Sequence, residues 1–145
     1  VKDCKLRKEE EVIQKIAHIG VALKNVEEAE KFYAEVLNLP VRGREESKEN
    51  KVAFIPVGDT AIELLQGMTP DAPIARFIEK KGEGVHHIAY QVDNIEKALE
   101  ELKAKGVALI DEKPRRGAHN SKVAFLHPKG TYGVLIELVE PDKNH

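Results

Sequence analysis

Between residues 16 and 23 apolar side chains alternate with others at a period of two. Ala17, Ile19, Val21 and Leu23 fall on one side of an extended strand, and Ile16, His18, Gly20 and Ala22 on the other. The period then lengthens. Val26, Ala29, Phe32, Tyr33 and Val36 form a stripe at helical spacing, behind Asn25 as N-cap and Glu28 at the reciprocal capping-box position. Three strands are expected next, at about residues 41–46, 51–57 and 60–66, with Gly58-Asp59 as a tight turn between the last two. Asp71-Ala72-Pro73 opens a short helix running to about Lys81, and Gly82-Glu83-Gly84 ends it. A strand at 85–92 and a helix at 95–105, stopped by Gly106, follow. Further strands are expected near 107–111, 122–126 and 134–139.

The order strand, helix, three strands thus occurs twice, and the residues themselves repeat. His18-Ile19-Gly20-Val21 through Asn25-Val26-Glu27-Glu28-Ala29 returns as His87-Ile88-Ala89-Tyr90 through Asn94-Ile95-Glu96-Lys97-Ala98, at an offset of 69. Val52-Ala53-Phe54 returns as Val123-Ala124-Phe125, and Ile62-Glu63-Leu64 as Ile136-Glu137-Leu138. At 145 residues, two such half-size modules would each be marginal alone and are expected to share one core. The expected organisation is a single domain over 1–145. Its βαβββ modules lie at about 16–67 and 85–140, joined by a helix at about 71–82 and preceded by a charged extension at 1–11.

Parity places the chemistry. In each Ile-Glu-Leu triplet the apolar neighbours share one face and the Glu points to the other. Ile19, Val21 and Leu23, and likewise Ile88, Tyr90 and Val92, lie opposite His18 and His87. Small residues, Gly20 and Ala89, stand two positions along on the His side and leave room for a ligand. Helices are expected to cover one face, while the other lines a concavity holding His18, Glu63, His87 and Glu137. Two imidazoles and two carboxylates suit one octahedral divalent ion (Co, Mn, Ni or Zn) with two positions open for chemistry. The competing account is that buried His-Glu pairs satisfy one another. Four equivalent placements in two copies weigh against it. His86 has the opposite parity from His87 and reads as structural or as a neighbour of the ligands.

Charge and composition narrow the classes. A charged fraction of 33% with a net charge of only −2 opposes a general nucleic-acid binder. No apolar run reaches the roughly 20 residues of a membrane span. The single cysteine, Cys4, makes no internal disulfide and suits a reducing, cytoplasmic setting. Arg115, Arg116, His119, Lys122, His127 and Lys129 form a basic cluster around one loop, either a solvated surface or an anchor for a phosphate-bearing substrate.

The residues resemble the vicinal oxygen chelate (glyoxalase/bleomycin resistance/dioxygenase) superfamily and, within it, the methylmalonyl-CoA epimerase family. The stretches carrying the resemblance are Gly84-Val85-His86-His87-Ile88-Ala89, Ile62-Glu63-Leu64-Leu65, Ala72-Pro73-Ile74-Ala75, and residues 122–129 with 133–138. The resemblance implies a glyoxalase-like α+β fold, tandem βαβββ modules curving a mixed sheet into a cup around a metal. It implies His18, Glu63, His87 and Glu137 as ligands, and a CoA-thioester substrate epimerised between its (2R) and (2S) forms through an enolate. Proton removal on one face and return on the other needs two groups. Glu137 is the candidate for one. Members of the family place a second glutamate on the third strand, where this chain has Lys51-Val52-Ala53-Phe54-Ile55 without an acid, so Glu63 or Glu49 is left for the other. A glyoxalase-type enzyme acting on a glutathione hemithioacetal, and a non-catalytic small-molecule binder of the same fold, are the alternatives. A homodimer is expected, since a small open sheet has edges to protect.

Overall fold

The computed structural model describes residues 12–144; the extension at 1–11, with Cys4, lies outside the described residues. Two compact units are distinguished. One is Ile16–Ala89, and the other holds the described residues from Tyr90 onward with the first residues of the opening strand.

The Ile16–Ala89 unit holds strand β1 (Ile13–Ala22, begun in the other unit), helix α1 (Val26–Lys31), strands β2 (Gly43–Glu46), β3 (Asn50–Val57) and β4 (Thr60–Gly67), and helix α2 (Pro73–Lys81). Strand β5 (Gly84–Val92) begins here. The strands hydrogen-bond in the order β2-β3-β4-β1-β5. β3 and β4 form a two-residue hairpin in which Val57 faces Thr60. Gly58, with φ 61°, supplies the positive φ that such a turn needs at its first central position. β1 runs parallel to β4, with Gly20 opposite Glu63 and Ala22 opposite Leu65.

Alternation sorts the side chains onto two covered faces. Val21 and Leu23 join Ala53, Ile55 and Leu64 beneath Val26, Ala29 and Tyr33 of the α1 segment. On the opposite face Ala22 and Leu65 are buried against Ile74, with Phe77 and Ile78 beside them. The connecting helix α2 therefore covers part of the face that carries His18, where the sequence pattern predicted helices on the other face only. The first helix also differs from expectation. It is α-helical to Lys31 and then widens into a π-turn at Phe32–Val36, with the Leu37 N–H reaching the Phe32 carbonyl at 3.3 Å. The extra residue per turn swings Phe32 and Val36 out of the stripe, and both are exposed.

The other unit holds the end of β5, helix α3 (Ile95–Ala104) and strands β6 (Arg115–Arg116), β7 (Lys122–Leu126) and β8 (Ile136–Glu140), ordered β5-β8-β7-β6. Its core is Val92, Ile95, Ala98, Leu99, Ala124, Leu126 and Leu138. β7 and β8 are antiparallel, with Phe125 opposite Glu137. The strand expected at 107–111 reduces to one bridge, Leu109 with Leu126. The Asp111 carboxylate explains the break, because it accepts the Phe125 N–H at 2.9 Å and takes a bond that a ladder would use.

Both α-helices that open a module begin in the same way. The Asn25 side chain accepts from the Glu28 N–H at 3.1 Å, and the Asn94 side chain from the Lys97 N–H at 3.0 Å. The first helical N–H of each also finds a side chain on a distant strand. Val26 donates to Gln66 at 2.8 Å, and Ile95 donates to the buried carboxylate of Glu140 at 3.0 Å. Among the described residues no helix is long and apolar enough to cross a membrane.

Candidate functional site

His18 sits near the middle of β1 and His87 on β5, both buried at 9% and 6% exposure. Their Nε2 atoms stand 3.0 Å apart, with the rings nearly perpendicular at 85°. Gly20, two residues beyond His18 on the same face, makes this approach possible. A Cβ there would lie 2.3 Å from His87 Cε1 and 2.6 Å from its Nδ1. The room that the small residue leaves is thus filled by the His87 ring, not kept open for a ligand as its spacing suggested.

Glu63 reaches the same place from β4. Its Oε2 lies 3.0 Å from His18 Nδ1, and both side chains are largely buried. A carboxylate only accepts, so the His18 Nδ1 carries the proton of this bond, and in the neutral ring Nε2 presents its lone pair toward His87. On the far side, His87 Nδ1 is 2.9 Å from Nδ1 of His86. The His86 ring meets the edge of Phe77 on α2, centroids 4.9 Å apart. Phe77 carried no signal in the sequence beyond an apolar position on a helix. The contact of His86 was hinted at only by the doubled histidine.

The donor set fits a divalent ion. Two imidazole nitrogens about 2.1 Å from one ion, at the right angle of an octahedron, stand about 3.0 Å apart. That is the separation of the two Nε2 atoms. The same distance satisfies a hydrogen bond between the rings, so the pair is also stable without an ion. A carboxylate on the remaining nitrogen of one ligand is the usual device for orienting a metal-bound imidazole.

The fourth residue of the predicted set, Glu137, lies in the other unit, second in strand β8 and buried. It occupies there the register position that Glu63 occupies on β4: each Glu faces a Phe, Phe125 or Phe54, across an antiparallel ladder. Glu49 is placed differently. It is exposed on the turn before β3, its carbonyl accepting the Met68 N–H. Met68 is five residues along from Glu63, so Glu49 stands roughly 16 Å down the sheet from that position.

The basic residues divide. Arg115, Arg116 and Lys122 line an open cavity of about 550 Å³ together with Glu96, Glu140 and Asp142. Two of these charges are already engaged: Arg115 pairs with Asp111 at 3.3 Å and lies over the Phe125 ring, and Lys122 pairs with Glu96 at 3.1 Å. Hydrogen bonding to Lys122 holds the Glu96 carboxyl below its ordinary pKa, and hydrogen bonding to Glu96 raises that of Lys122. His127 and Lys129 are absent from the cavity wall; the His127 ring accepts the Lys129 N–H and closes a short turn at Pro128–Gly130. His119 is exposed at φ 55°.

Comparison with known proteins places this geometry. Residues 17–125 match the Glyoxalase/Bleomycin resistance protein/Dioxygenase superfamily. The mitochondrial methylmalonyl-CoA epimerase of Homo sapiens is 39% identical over 127 residues, covering 86% of this chain and 72% of that protein. The crystal structure of methylmalonyl-CoA epimerase from Mycobacterium tuberculosis superposes with a TM-score of 0.87 at 31% identity, over 92% of this chain and 91% of the other. A methylmalonyl-CoA epimerase in complex with methylmalonyl-CoA and NH4+ gives a TM-score of 0.85 at 30% identity, covering 90% and 96%. The glyoxalase-like α+β fold that the resemblance implied is accordingly the fold of this chain. The chain belongs to the Glyoxalase/Bleomycin resistance protein/Dioxygenase superfamily and, within it, to the methylmalonyl-CoA epimerase family.

Proposed function

We propose that this protein is a metal-dependent epimerase that interconverts (2R)- and (2S)-methylmalonyl-CoA. The observation carrying the reading is the buried pair of facing imidazoles, His18 and His87, with Glu63 on the outer nitrogen of His18. The substrate is taken from the relatives, whose names specify methylmalonyl-CoA.

His18, His87 and Glu137, all buried, are assigned to hold one divalent ion such as Co, Mn, Ni or Zn; Glu63, expected from the sequence as a fourth ligand, stands on the outer nitrogen of His18 and is assigned to orient that ring. Support comes from the donor chemistry and from the matched positions of the two glutamates in the repeat. The ion would supply the positive charge that stabilises an enolate formed next to a thioester. The protein's own residues do the rest. Inversion requires one group to take the α-proton from one face and another to return a proton to the opposite face. Glu137 and Glu63 are assigned these roles, because both are carboxylates on equivalent strands. The exposed turn that carries Glu49 makes it the weaker candidate. Burial of the imidazoles keeps bulk water from the site and strengthens every charge interaction within it. Arg115, Arg116 and Lys122 are assigned to the phosphates of the CoA tail, with the cavity they line as its berth. We further assign the protein to the cytoplasm, on its single cysteine, and to a homodimer, on the need of a small sheet to protect its edges.

The test is proton NMR of (2R)-methylmalonyl-CoA in deuterated water with the protein and added Co(II) or Mn(II). Deuterium entering the α-carbon with inversion, both abolished by a chelator, is the expected result. Absence of exchange with every metal would remove the epimerase assignment and make a glutathione hemithioacetal the next substrate to try.

A further inference from the structure

Glu63, His18, His87 and His86 form one unbroken line of contacts. Glu63 Oε2 is 3.0 Å from His18 Nδ1, His18 Nε2 is 3.0 Å from His87 Nε2, and His87 Nδ1 is 2.9 Å from His86 Nδ1. The carboxylate fixes the direction of the line. His18 donates from Nδ1 and so presents a lone pair at Nε2. When the rings are neutral and no ion is present, His87 satisfies that lone pair by donating from Nε2. Its Nδ1 then accepts, and His86 donates from Nδ1.

A cation between the two Nε2 atoms needs lone pairs from both. His18 already offers one. His87 does not, and must carry its proton on Nδ1 instead, facing His86 at 2.9 Å. The group there must then accept. A lysine or arginine could only donate, and an apolar side chain would leave a buried N–H without a bond. A histidine does either, because moving its own proton from Nδ1 to Nε2 turns Nδ1 into an acceptor. Each ring keeps one proton through the exchange, with water carrying the protons between nitrogens, so the balance closes.

We propose that His86 is a positioning residue that holds His87 in its metal-binding tautomer, and that Phe77 of the connecting helix holds His86. The inference rests on the metal site proposed above. The His86 ring stands at 81° to Phe77, and Lys81 Nζ lies 5.9 Å from the centre of the Phe77 ring. The two imidazole ligands are therefore steadied by unlike means. Glu63 steadies His18. The repeat puts Ala17 where the second copy has His86, so the first copy lacks this imidazole.

The experiment compares the wild-type protein with His86→Phe, which keeps a ring against Phe77, and with His86→Asn, whose amide can donate or accept near the place of Nδ1. Zn(II) affinity is measured by titration calorimetry. The protonated nitrogen of His87 is read by long-range proton–nitrogen NMR at about pH 8, above the ordinary imidazole pKa. Zinc-loaded wild-type protein should show His87 protonated at Nδ1. His86→Phe should bind zinc about 10- to 100-fold more weakly, the usual cost of losing a partner that orients a ligand. His86→Asn should recover most of that loss. Wild-type affinity in His86→Phe, with His87 still protonated at Nδ1, overturns the role of His86 and leaves the metal site standing. Zinc binding that His87→Ala does not weaken overturns the metal site and this inference with it.

Discussion

Substituting Gly20 by alanine tests the geometry of the site at one methyl group. The new Cβ would stand 2.3 Å from His87 Cε1, 2.6 Å from Nδ1 and 2.9 Å from Nε2. Ordinary carbon contacts begin near 3.5 Å, so the ring must withdraw by about 1.2 Å. Catalytic groups tolerate roughly 0.5 Å of displacement, and a misplacement of about 1 Å costs on the order of 100-fold in rate. Overpacking a well-filled site also costs about 1–3 kcal/mol of stability. For a chain of this size that is a fall of roughly 3–10 °C in Tm. Thermal unfolding of metal-free protein reads the stability loss, and the rate of α-proton exchange of methylmalonyl-CoA in deuterated water, with Zn(II) affinity by calorimetry beside it, reads the displacement of His87. The decisive arm is the double variant. With His87 already replaced by alanine there is no ring to strike, and Gly20→Ala should then cost almost nothing. The coupling between the two positions should account for nearly the whole penalty. A Gly20→Ala protein with wild-type Tm and zinc affinity, or one equally destabilised in the His87→Ala background, would refute the reasoning.

Other consequences follow from single contacts. Glu63→Ala removes the acceptor at His18 Nδ1 and should weaken zinc binding about 10- to 100-fold, while Glu63→Gln, which keeps an acceptor oxygen, should weaken it less; calorimetry separates them. Glu140→Ala strips a buried acceptor from the Ile95 N–H and should cost about 1–3 kcal/mol in urea unfolding, whereas Glu140→Gln should lie close to wild type, as Gln66 does the same work for Val26. The Glu96 carboxyl has its pKa lowered by Lys122, so its stabilising share is present above the ordinary carboxylate pKa and is lost as pH falls through the depressed value. The urea midpoint of Glu96→Gln should therefore fall slightly below wild type at about pH 7 and meet it at about pH 2.5.

The parity of the strands was legible because each module buries apolar residues on alternate positions, and His18, Gly20 and Ala22 do share a buried face. The hairpin at Gly58 and the two asparagine caps were legible for local reasons, since turn and cap chemistry lies within a few residues. What escaped the pattern depends on distant partners. The π-turn at Phe32–Val36 has a stripe indistinguishable from that of an α-helix. The strand expected at 107–111 has suitable residues, but Asp111 diverts the Phe125 N–H that would have extended it. The placement of α2 on the His18 face, and with it the Phe77–His86 contact, follows from a connection between modules that has no counterpart in the repeat. Gly20 was read as empty space, since a period of two records which face a residue occupies and not which ring will cross over it.

The N–H groups that open α1 and α3 are held by Gln66 and Glu140, residues of different charge at equivalent places. What has persisted between the halves is an oxygen atom at a fixed address, with neutral amide and carboxylate treated as interchangeable carriers of it. Identity counted letter by letter therefore understates the kinship of duplicated modules. Aligning them by the job each atom performs would recover matches that residue names conceal, and would mark where one half has been free to change its electrostatics without moving its backbone.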